Sequence, residues 1–446
     1  MRGLRSTLML LAVALGLAAY IYLGESDRSA VGTPEPRDTV FDFDSNDINR
    51  LSVTAENGER TVLEKTDDRW QLAEPLVTAV DVTEVVSLAS SFATLEMQRV
   101  VAEPDDAPDL AAFGLDDPRI EVAATTTTGA DTRLLIGEQT PTGGDLYATL
   151  AGSNRVFLIS GFLDGTFNRT TFELRDKTIL DFTRDQVDSL EFAGPDLAIR
   201  LGKGDNRWSL VSPFAANADF GVTDGVVGRL STGQMSAIEA EQTDELDPYG
   251  LDTPRLTVTV GLGSSAATLL VGDTAPAGTV YARDTARDLV FTVDAALVTE
   301  LEQGVDEYRR INLFAFRPFN ATALELDHNG ERWAFEQVAA TSDAESDQWR
   351  RTAPEAGAVD TSAMDDLLAK LSNLRAESFV ASRDGTGLDA PASTILVTFD
   401  ENGEQERVVV GRVGDDVFAV NGNEPGAARL NTRAWDDALE ALDALE

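Results

Sequence analysis

The chain has 446 residues, of which 43% are hydrophobic and 7% aromatic, and it contains no cysteine. Acidic residues number 77 against 36 basic ones, so the formal net charge is -41 at pH 7. This length predicts several folded domains, the charge disfavours binding to nucleic acid, and the absence of thiols excludes disulfides, thiolate metal sites and cysteine nucleophiles. The excess of acidic residues is interpreted as a feature of a soluble surface; the alternative interpretation is a surface that binds cations or a basic partner.

The amino terminus predicts a membrane anchor. Residues 4–23 are dominated by Leu, Ala, Val, Ile and Met. A helix of about twenty residues is roughly 30 Å long, which matches the thickness of a bilayer core. Arg2 and Arg5 stand at the start of this span, and Glu25 and Asp27 follow it. The positive-inside rule therefore places the rest of the chain outside the cytoplasm.

This segment is interpreted as an uncleaved anchor over residues 1–25, with a cleaved signal peptide as the alternative. Leu17 and Ala19 before Tyr20 meet the small-x-small rule for cleavage only at the second position, which favours the anchor. Residues 26–39 contain glycine and prolines and little that could pack, so they are predicted to form a linker. The expected location is the inner membrane, with a single pass and a periplasmic or otherwise extracytoplasmic bulk.

Beyond the linker the chain is a threefold repeat. A Gly-Leu-Asp-x-Pro block recurs about every 136 residues. Upstream of each block stands a tryptophan, with a proline five residues and an aspartate eleven residues after it. Because the spacings persist in both directions, the copies are predicted to share one fold. The repeated residues are Trp70, Pro75, Asp81, Gly114, Leu115, Asp116 and Pro118 in the first copy, Trp208, Pro213, Asp219, Gly250, Leu251, Asp252 and Pro254 in the second, and Trp349, Pro354, Asp360, Gly387, Leu388, Asp389 and Pro391 in the third.

Each copy predicts the same order of elements. Apolar residues lead to a turn such as Asn57-Gly58 and return toward the tryptophan, which indicates a hairpin. Asp81, Asp219 and Asp360 are each placed to cap one amphipathic helix. After the Gly-Leu-Asp-x-Pro block, apolar residues alternate with a period of two, which predicts a meander of about four strands.

The predicted fold class is therefore α+β. We expect an N-terminal transmembrane helix and then three tandem repeats, each a mostly antiparallel sheet (a hairpin plus a meander) with one amphipathic helix. The first, second and third repeats are expected over residues 40–182, 183–316 and 317–446. The connectors between them are short and partly apolar, which favours repeats that touch.

No residue cluster in the sequence predicts a catalytic, cofactor-binding or metal site. His328, the only histidine, is interpreted as a solvated turn residue rather than a general base. Residues 42–46 open like a calcium loop, but Asp47 replaces the required glycine. Residues 261–266 imitate a dinucleotide fingerprint, yet they lie between two predicted strands with no helix to receive a pyrophosphate.

Two sets of repeated residues have a functional and a structural interpretation. The three aspartates of the Gly-Leu-Asp-x-Pro blocks could act as acids, but repetition in every copy favours a role in closing a turn through a bond to nearby backbone. The three tryptophans could stack on sugar rings or proline-rich ligands, but their common spacing favours core anchors.

These motifs resemble those of the bacterial domain of unknown function 4340 (DUF4340) family. The resemblance rests on the terminal anchor, the Trp-x4-Pro spacing, the Gly-Leu-Asp-x-Pro block with an aromatic residue before it, the Gly-x-x-Thr/Ala-Pro pieces at residues 137–141 and 272–276, and the Tyr-Ala pairs that follow them. The third copy departs from the pattern, with Thr386 in place of the aromatic residue and no proline after Gly411. The resemblance implies an envelope protein with an accessory role at an ABC-type exporter of the gliding-motility kind, and it implies no catalytic residues.

The leading functional hypothesis is a membrane-anchored, extracytoplasmic and non-enzymatic scaffold or accessory protein of an ABC-type transport or envelope complex. Its expected partners are the inner membrane, through residues 4–23, and a permease with its auxiliary subunits. The first alternative is an extracytoplasmic module that binds glycans or peptides in an aromatic-lined cleft. The second is a carboxylate-based hydrolase, which would need two inward-facing acids in one cleft.

Overall fold

The structure is a computed structural model that describes residues 38–338 and 348–445. The chain divides into two compact units between Lys177 and Thr178. The predicted anchor over residues 1–25 and almost all of the predicted linker lie outside the described residues. Within the described ranges, no helix combines the length and the apolar character that crossing a membrane requires.

The first unit contains the first repeat, built around one sheet. Its strands and helices are β1 (Ile48–Thr54), β2 (Arg60–Thr66), β3 (Arg69–Glu74), α1 (Val82–Ala93), β4 (Arg99–Ala102), β5 (Ile120–Thr126), β6 (Asp131–Gln139), β7 (Asp145–Leu150), β8 (Val156–Ser160), α2 (Leu163–Phe167) and α3 (Thr171–Leu174).

The second unit contains the second and third repeats, with one sheet each. The second repeat has β9 (Ser189–Ala193), β10 (Ala198–Gly204), β11 (Arg207–Ser212), β12 (Ala216–Asn217), α4 (Phe220–Thr232), β13 (Ala237–Ala240), β14 (Leu256–Leu262), β15 (Ser265–Thr274), β16 (Thr279–Asp284), β17 (Val290–Asp294) and α5 (Ala295–Leu301). The third has β18 (Ala321–His328), β19 (Glu331–Val338), β20 (Gln348–Ala353), β21 (Gly357–Ala358), α6 (Thr361–Ser372), β22 (Ala376–Val380), β23 (Ser393–Phe399), β24 (Glu404–Val413), β25 (Asp416–Asn421), β26 (Ala427–Leu430) and α7 (Thr432–Asp443).

The three sheets share one antiparallel topology. Their strand orders are β3-β2-β1-β5-β6-β7-β8-β4, β12-β11-β10-β9-β14-β15-β16-β17-β13 and β21-β20-β19-β18-β23-β24-β25-β26-β22. In each, the first strand of the repeat pairs with the strand that follows the Gly-Leu-Asp-x-Pro block, as Leu51 opposite Ala124 shows in the first sheet. The predicted α+β class, with repeated antiparallel sheets, is confirmed.

Two details of the predicted element order are wrong. The opening hairpin is a meander of three strands, because the segment that carries the tryptophan is a separate strand after a tight turn at Asp67 and Asp68, both with positive φ. A further strand follows the helix in each repeat and pairs with the last strand of the second meander, as β4 does with β8. The four-strand meander itself is present in all three sheets.

In each repeat, the long helix that follows the first meander packs on one face of the sheet. In the third repeat α7 also contributes Trp435, Ala438, Ala441 and Leu442 to the core. Along β5, Ile120, Val122 and Ala124 are buried and alternate with less buried neighbours, which is the pattern of a half-covered strand. On α1, Leu88 and Phe92 are buried at helical spacing and face this core.

The second and third repeats meet around one buried guanidinium. Arg309, at the end of the second repeat, is 4% exposed, and its Nη2 lies 3.4 Å from Glu424 Oε2 of the third repeat. Its Cζ lies 3.8 Å from the ring centroid of Phe379 in the third repeat and 5.3 Å from that of Phe214 in the second. Glu424 also accepts hydrogen bonds from the backbone N–H and side-chain amide of Asn217. This cluster joins the two repeats through an ion pair, through packing of the guanidinium on two aromatic rings and through a hydrogen bond from a backbone N–H.

Replacement of Glu424 by alanine is expected to destabilise the second unit by about 2 to 5 kcal/mol, because it leaves the Arg309 charge buried without its main partner. The shift in the midpoint of urea unfolding, followed by tryptophan fluorescence, measures this loss. The matched control is Asp416→Ala, which removes the partner of Arg429 in an ion pair whose side chains are 49% and 51% exposed. That control is expected to cost less than about 1 kcal/mol. Equal shifts for both variants would contradict a stabilising role for the buried cluster.

Tyr308, next to Arg309, has a buried hydroxyl group that makes no hydrogen bond to any described residue. The whole residue is 0% exposed, and its ring centroid lies 5.3 Å from that of Phe192. Burial raises the pKa of this phenol well above its usual range. The folded state therefore keeps the proton at a pH where the unfolded chain loses it.

Alkaline pH is expected to destabilise the second unit through Tyr308. Above pH of about 10 the unfolded tyrosine ionises while the folded one does not, so the free energy of unfolding falls by up to about 1.4 kcal/mol per pH unit. Tyr308→Phe removes this contribution and leaves the neutral-pH stability unchanged or higher, since no described residue bonds the hydroxyl. Urea unfolding of both proteins from about pH 8 to about pH 11, which brackets the usual pKa of tyrosine, measures the difference. Parallel pH profiles for the two proteins would rule the explanation out.

Candidate functional site

The Gly-Leu-Asp-x-Pro block is a tight turn that touches the second meander. Gly114, Gly250 and Gly387 have φ of 66°, 67° and 75°, a left-handed conformation that favours glycine. Further along each repeat, an apolar triplet at residues 134–136, 269–271 or 408–410 is followed by a glycine, and each turn approaches that glycine. A Cβ built on that glycine would lie 2.1 Å from Phe113 O in the first repeat, 2.1 Å from Tyr249 O in the second and 2.4 Å from Thr386 O in the third; the three glycines are Gly137, Gly272 and Gly411.

The aromatic residue before the block packs on the tyrosine of the Tyr-Ala pair. The ring centroids of Phe113 and Tyr147 are 4.9 Å apart, and those of Tyr249 and Tyr281 are 5.1 Å apart. In the third repeat, Thr386 is buried and its hydroxyl donates to Arg383 O instead. The motifs that define the repeat therefore meet each other in space.

The three aspartates of the blocks, Asp116, Asp252 and Asp389, are exposed in these turns. The predicted bond from their carboxylates to nearby backbone is not formed within the described part of the chain; Asp252 accepts from the hydroxyl of Thr253 at 3.4 Å. The glycine contact, rather than the carboxylate, holds the turn.

The proline and the aspartate upstream of each block precede the long helix of the repeat. Asp81 accepts from the backbone N–H of Thr83 and Glu84, and Asp219 and Asp360 cap the second and third helices in the same manner, which is the role that their spacing predicts. Pro75, Pro213 and Pro354 each follow a cis peptide bond. The remaining block residues lie in or beside the turn, with Leu115 and Leu251 buried, Leu388 and the prolines Pro118 and Pro254 partly buried, and Pro391 exposed.

The three tryptophans differ in burial. Trp208 is 3% exposed and Trp349 is 5% exposed, as core anchors would be. Trp70 packs on the core of the first repeat but is only half-buried. Its remaining surface lines an open cleft between β3 and α1.

This Trp70 cleft is the candidate functional site. It has a volume of about 470 Å³, and a second depression of about 600 Å³ shares Arg69, Trp70 and Ala79 with it. Val82 and Val86, on the first two turns of α1, are 60% and 48% exposed. The apolar part of the lining is therefore presented to solvent. The cleft is lined by Ser45, Asn46, Lys65, Asp68, Arg69, Trp70, Ala79, Val80, Val82, Val86, Ala89 and Ser90.

Two of the polar lining residues are cations. Lys65 Nζ lies 5.9 Å from the ring centroid of Trp70. Neither Lys65 nor Arg69 forms an ion pair within residues 38–338 and 348–445, and Asp68 is the one carboxylate of the lining. In a chain of net charge -41, this pair gives the cleft a local positive character.

Other residues singled out in the sequence have structural partners. His328 Nδ1 lies 2.7 Å from Ser393 Oγ, and Ser393 is 2% exposed, so the predicted solvated histidine is instead held against a buried serine. Asp44, in the calcium-like loop, caps a short 3-10 turn at Ser45–Asp47. Among the described residues, no group of three or more His, Asp or Glu side chains is arranged to hold a metal ion.

The family described as Domain of unknown function (DUF4340) matches this chain twice, over residues 70–209 and 208–391. The chain therefore belongs to the DUF4340 family. Each match begins at a tryptophan of the repeat, Trp70 or Trp208. The first match contains one complete Gly-Leu-Asp-x-Pro block, and the second contains two, because it extends to Pro391 at the end of the third block. Comparison with curated proteins gave no match. Comparison with solved structures also gave no match.

Gly272→Ala is expected to destabilise the second unit by about 1 to 3 kcal/mol, because the added methyl group would overlap the backbone carbonyl of Tyr249. Gly304→Ala is the matched control, since a Cβ there meets no atom within 4 Å and the residue has a negative φ. The control is expected to leave stability unchanged or to raise it by about 0.4 to 1 kcal/mol. Urea unfolding midpoints measure both. A tolerated Gly272→Ala would show that the close approach is not required.

Proposed function

We propose that the protein is a membrane-anchored, extracytoplasmic and non-enzymatic scaffold or accessory protein of an ABC-type transport or envelope complex. The apolar residues 4–23 support an anchor, and the basic residues at its start support an outward orientation of the bulk. Three copies of one α+β fold support a structural and binding role, since tandem repeats present extended surfaces to partners.

One observation carries the binding part of this proposal: the Trp70 cleft. An aromatic ring, two exposed valines and two cations that pair with no acidic group of the described residues converge on one open site of the first repeat. Concave sites that combine apolar walls with a few polar groups are typical of binding sites. The cleft also favours the second candidate, a module that binds a peptide or a glycan outside the cytoplasm.

The full chain is expected to fractionate with the inner membrane and to resist extraction at alkaline pH. Leu11→Arg combined with Leu15→Arg is expected to release it, because each arginine at the centre of a membrane span costs about 2.5 to 3.5 kcal/mol. Ser29→Arg, which adds the same charge beyond the span, is the matched control and is expected to leave the chain in the membrane. Immunoblots of membrane and soluble fractions measure the distribution.

The accessory role is tested by purification of the intact chain from detergent extracts. Recovery with a permease or another envelope protein is the expected outcome. Recovery of the chain alone would refute the proposed function. So would release of the full chain from the membrane to the same degree as its double arginine variant.

A further inference from the structure

The Trp70 cleft lies where the other sheets carry an additional strand. In the second repeat, Leu210 and Ser209 of β11 pair with Ala216 and Asn217 of β12, and β20 and β21 pair likewise in the third. In the first repeat this pairing is reduced to a single bridge between Leu72 and Thr78. Beyond that bridge, Trp70 stands on one wall of the cleft and Ala79 and Val80 stand on the other.

One backbone group on each wall of the cleft has no hydrogen-bond partner among the described residues. The opposite edge of residues 79–81 is paired, since Asp176 N donates to Ala79 O and Asp81 N donates to Leu174 O, both at 3.0 Å. In the second repeat, the N–H of Ala218 donates to Trp208 O at 3.2 Å and closes the edge. The equivalent atoms of the first repeat, Val80 N and Trp70 O, form no hydrogen bond to any residue of the described ranges. Because backbone groups alternate along a strand, the outward bonds between Leu72 and Thr78 show that Trp70 and Val80 also point their N–H and C=O groups into the cleft.

A backbone donor and a backbone acceptor that no described residue bonds, Val80 N and Trp70 O, fit an extended polypeptide, since a strand can bond to both. The side chains add selectivity. Trp70, Val82 and Val86 offer an apolar surface for one side chain. Lys65 near the end of β2 and Arg69 at the start of β3 offer partners for a carboxylate.

We propose that the first repeat binds an extended segment of a partner polypeptide, about six residues long, in which an apolar side chain is flanked by acidic ones. The segment enters the Trp70 cleft beside β3 and extends the first sheet by one strand. Its apolar side chain packs on Trp70 and Val86, and a neighbouring carboxylate pairs with Lys65 or Arg69. This inference rests on the proposed function, because it names the chemistry of the partner that the scaffold holds.

The test uses the full chain in detergent micelles and a fluorescein-labelled, terminally blocked peptide, Thr-Val-Glu-Leu-Glu-Thr. Fluorescence anisotropy measures binding. Lys65→Glu combined with Arg69→Glu, and separately Val86→Glu on the exposed face of α1, are each expected to weaken binding by about tenfold or more. Neither set of side chains is part of the buried core, so these variants are expected to fold as the parent chain does. The matched control is Lys203→Glu, which changes the lysine that lies over Trp208 in the second repeat and is expected to leave affinity unchanged.

Two altered peptides separate the contributions of charge and backbone. Replacement of both glutamates by lysine removes the pairing with Lys65 and Arg69, and N-methylation of the central valine and leucine removes the backbone donors; both changes are expected to weaken binding by about tenfold or more. Absence of binding by the parent peptide, or binding that Lys203→Glu weakens as much as Lys65→Glu with Arg69→Glu, would overturn the inference. Binding of chitotriose at the same site in place of the peptide would overturn it in favour of a glycan. A dimer of the chain that Val86→Glu abolishes would overturn it in favour of a second copy.

The outcome is distinguishable from the fate of the proposed function. If the peptide fails to bind while the chain still purifies with an envelope partner, the inference alone fails. If the peptide binds at the cleft while the chain is found outside the membrane and without a partner, the proposed function alone fails.

Discussion

The pairing between the first strand of each repeat and the strand after the Gly-Leu-Asp-x-Pro turn is the constraint on which each sheet depends. β1 pairs with β5, β9 with β14 and β18 with β23, always antiparallel. The rest of the first meander, the long helix and an edge strand separate the two partners in sequence, so this pairing joins two small meanders into one sheet. Only the joined sheet has an apolar face wide enough to receive the helix.

The outer edge of the sheet is free to vary because the central pairing does not involve it. The second and third repeats close that edge with β12 and β21, and their tryptophans are buried. The first repeat leaves part of the edge open around Trp70 without any change in the order of its other strands. Three copies of one framework therefore present different surfaces, and a binding role assigned to one copy need not extend to the others.

The sequence predicted the features that depend on neighbours along the chain. The helix of each repeat and its capping aspartate were predicted because the cap bonds reach only two or three residues ahead, as from Asp81 to Glu84. The third strand of the first meander was missed because the turn at Asp67 and Asp68 has the backbone of a tight hairpin turn but not the asparagine-glycine pair that usually indicates one.

The features that depend on contacts between residues far apart in the chain could not be predicted from the sequence. The glycine at the end of the apolar triplet was recognised as a repeated residue, but its contact with the turn joins residues such as Phe113 and Gly137 across two elements. The Trp70 cleft is open because Val80 N forms no hydrogen bond to Trp70 O. The tryptophan spacing is identical in all three copies, so it predicts the same environment for each tryptophan. The anchor over residues 1–25 stays a prediction, since it lies outside the described residues.

The guanidinium of Arg309 sits between an aromatic ring of its own repeat and one of the next, Phe214 and Phe379. A tension applied to the carboxyl-terminal end of the protein would reach the second repeat through this stack and its Glu424 bond as well as through the covalent connector. The two repeats would then unfold together under load, as one mechanical element, rather than one after the other.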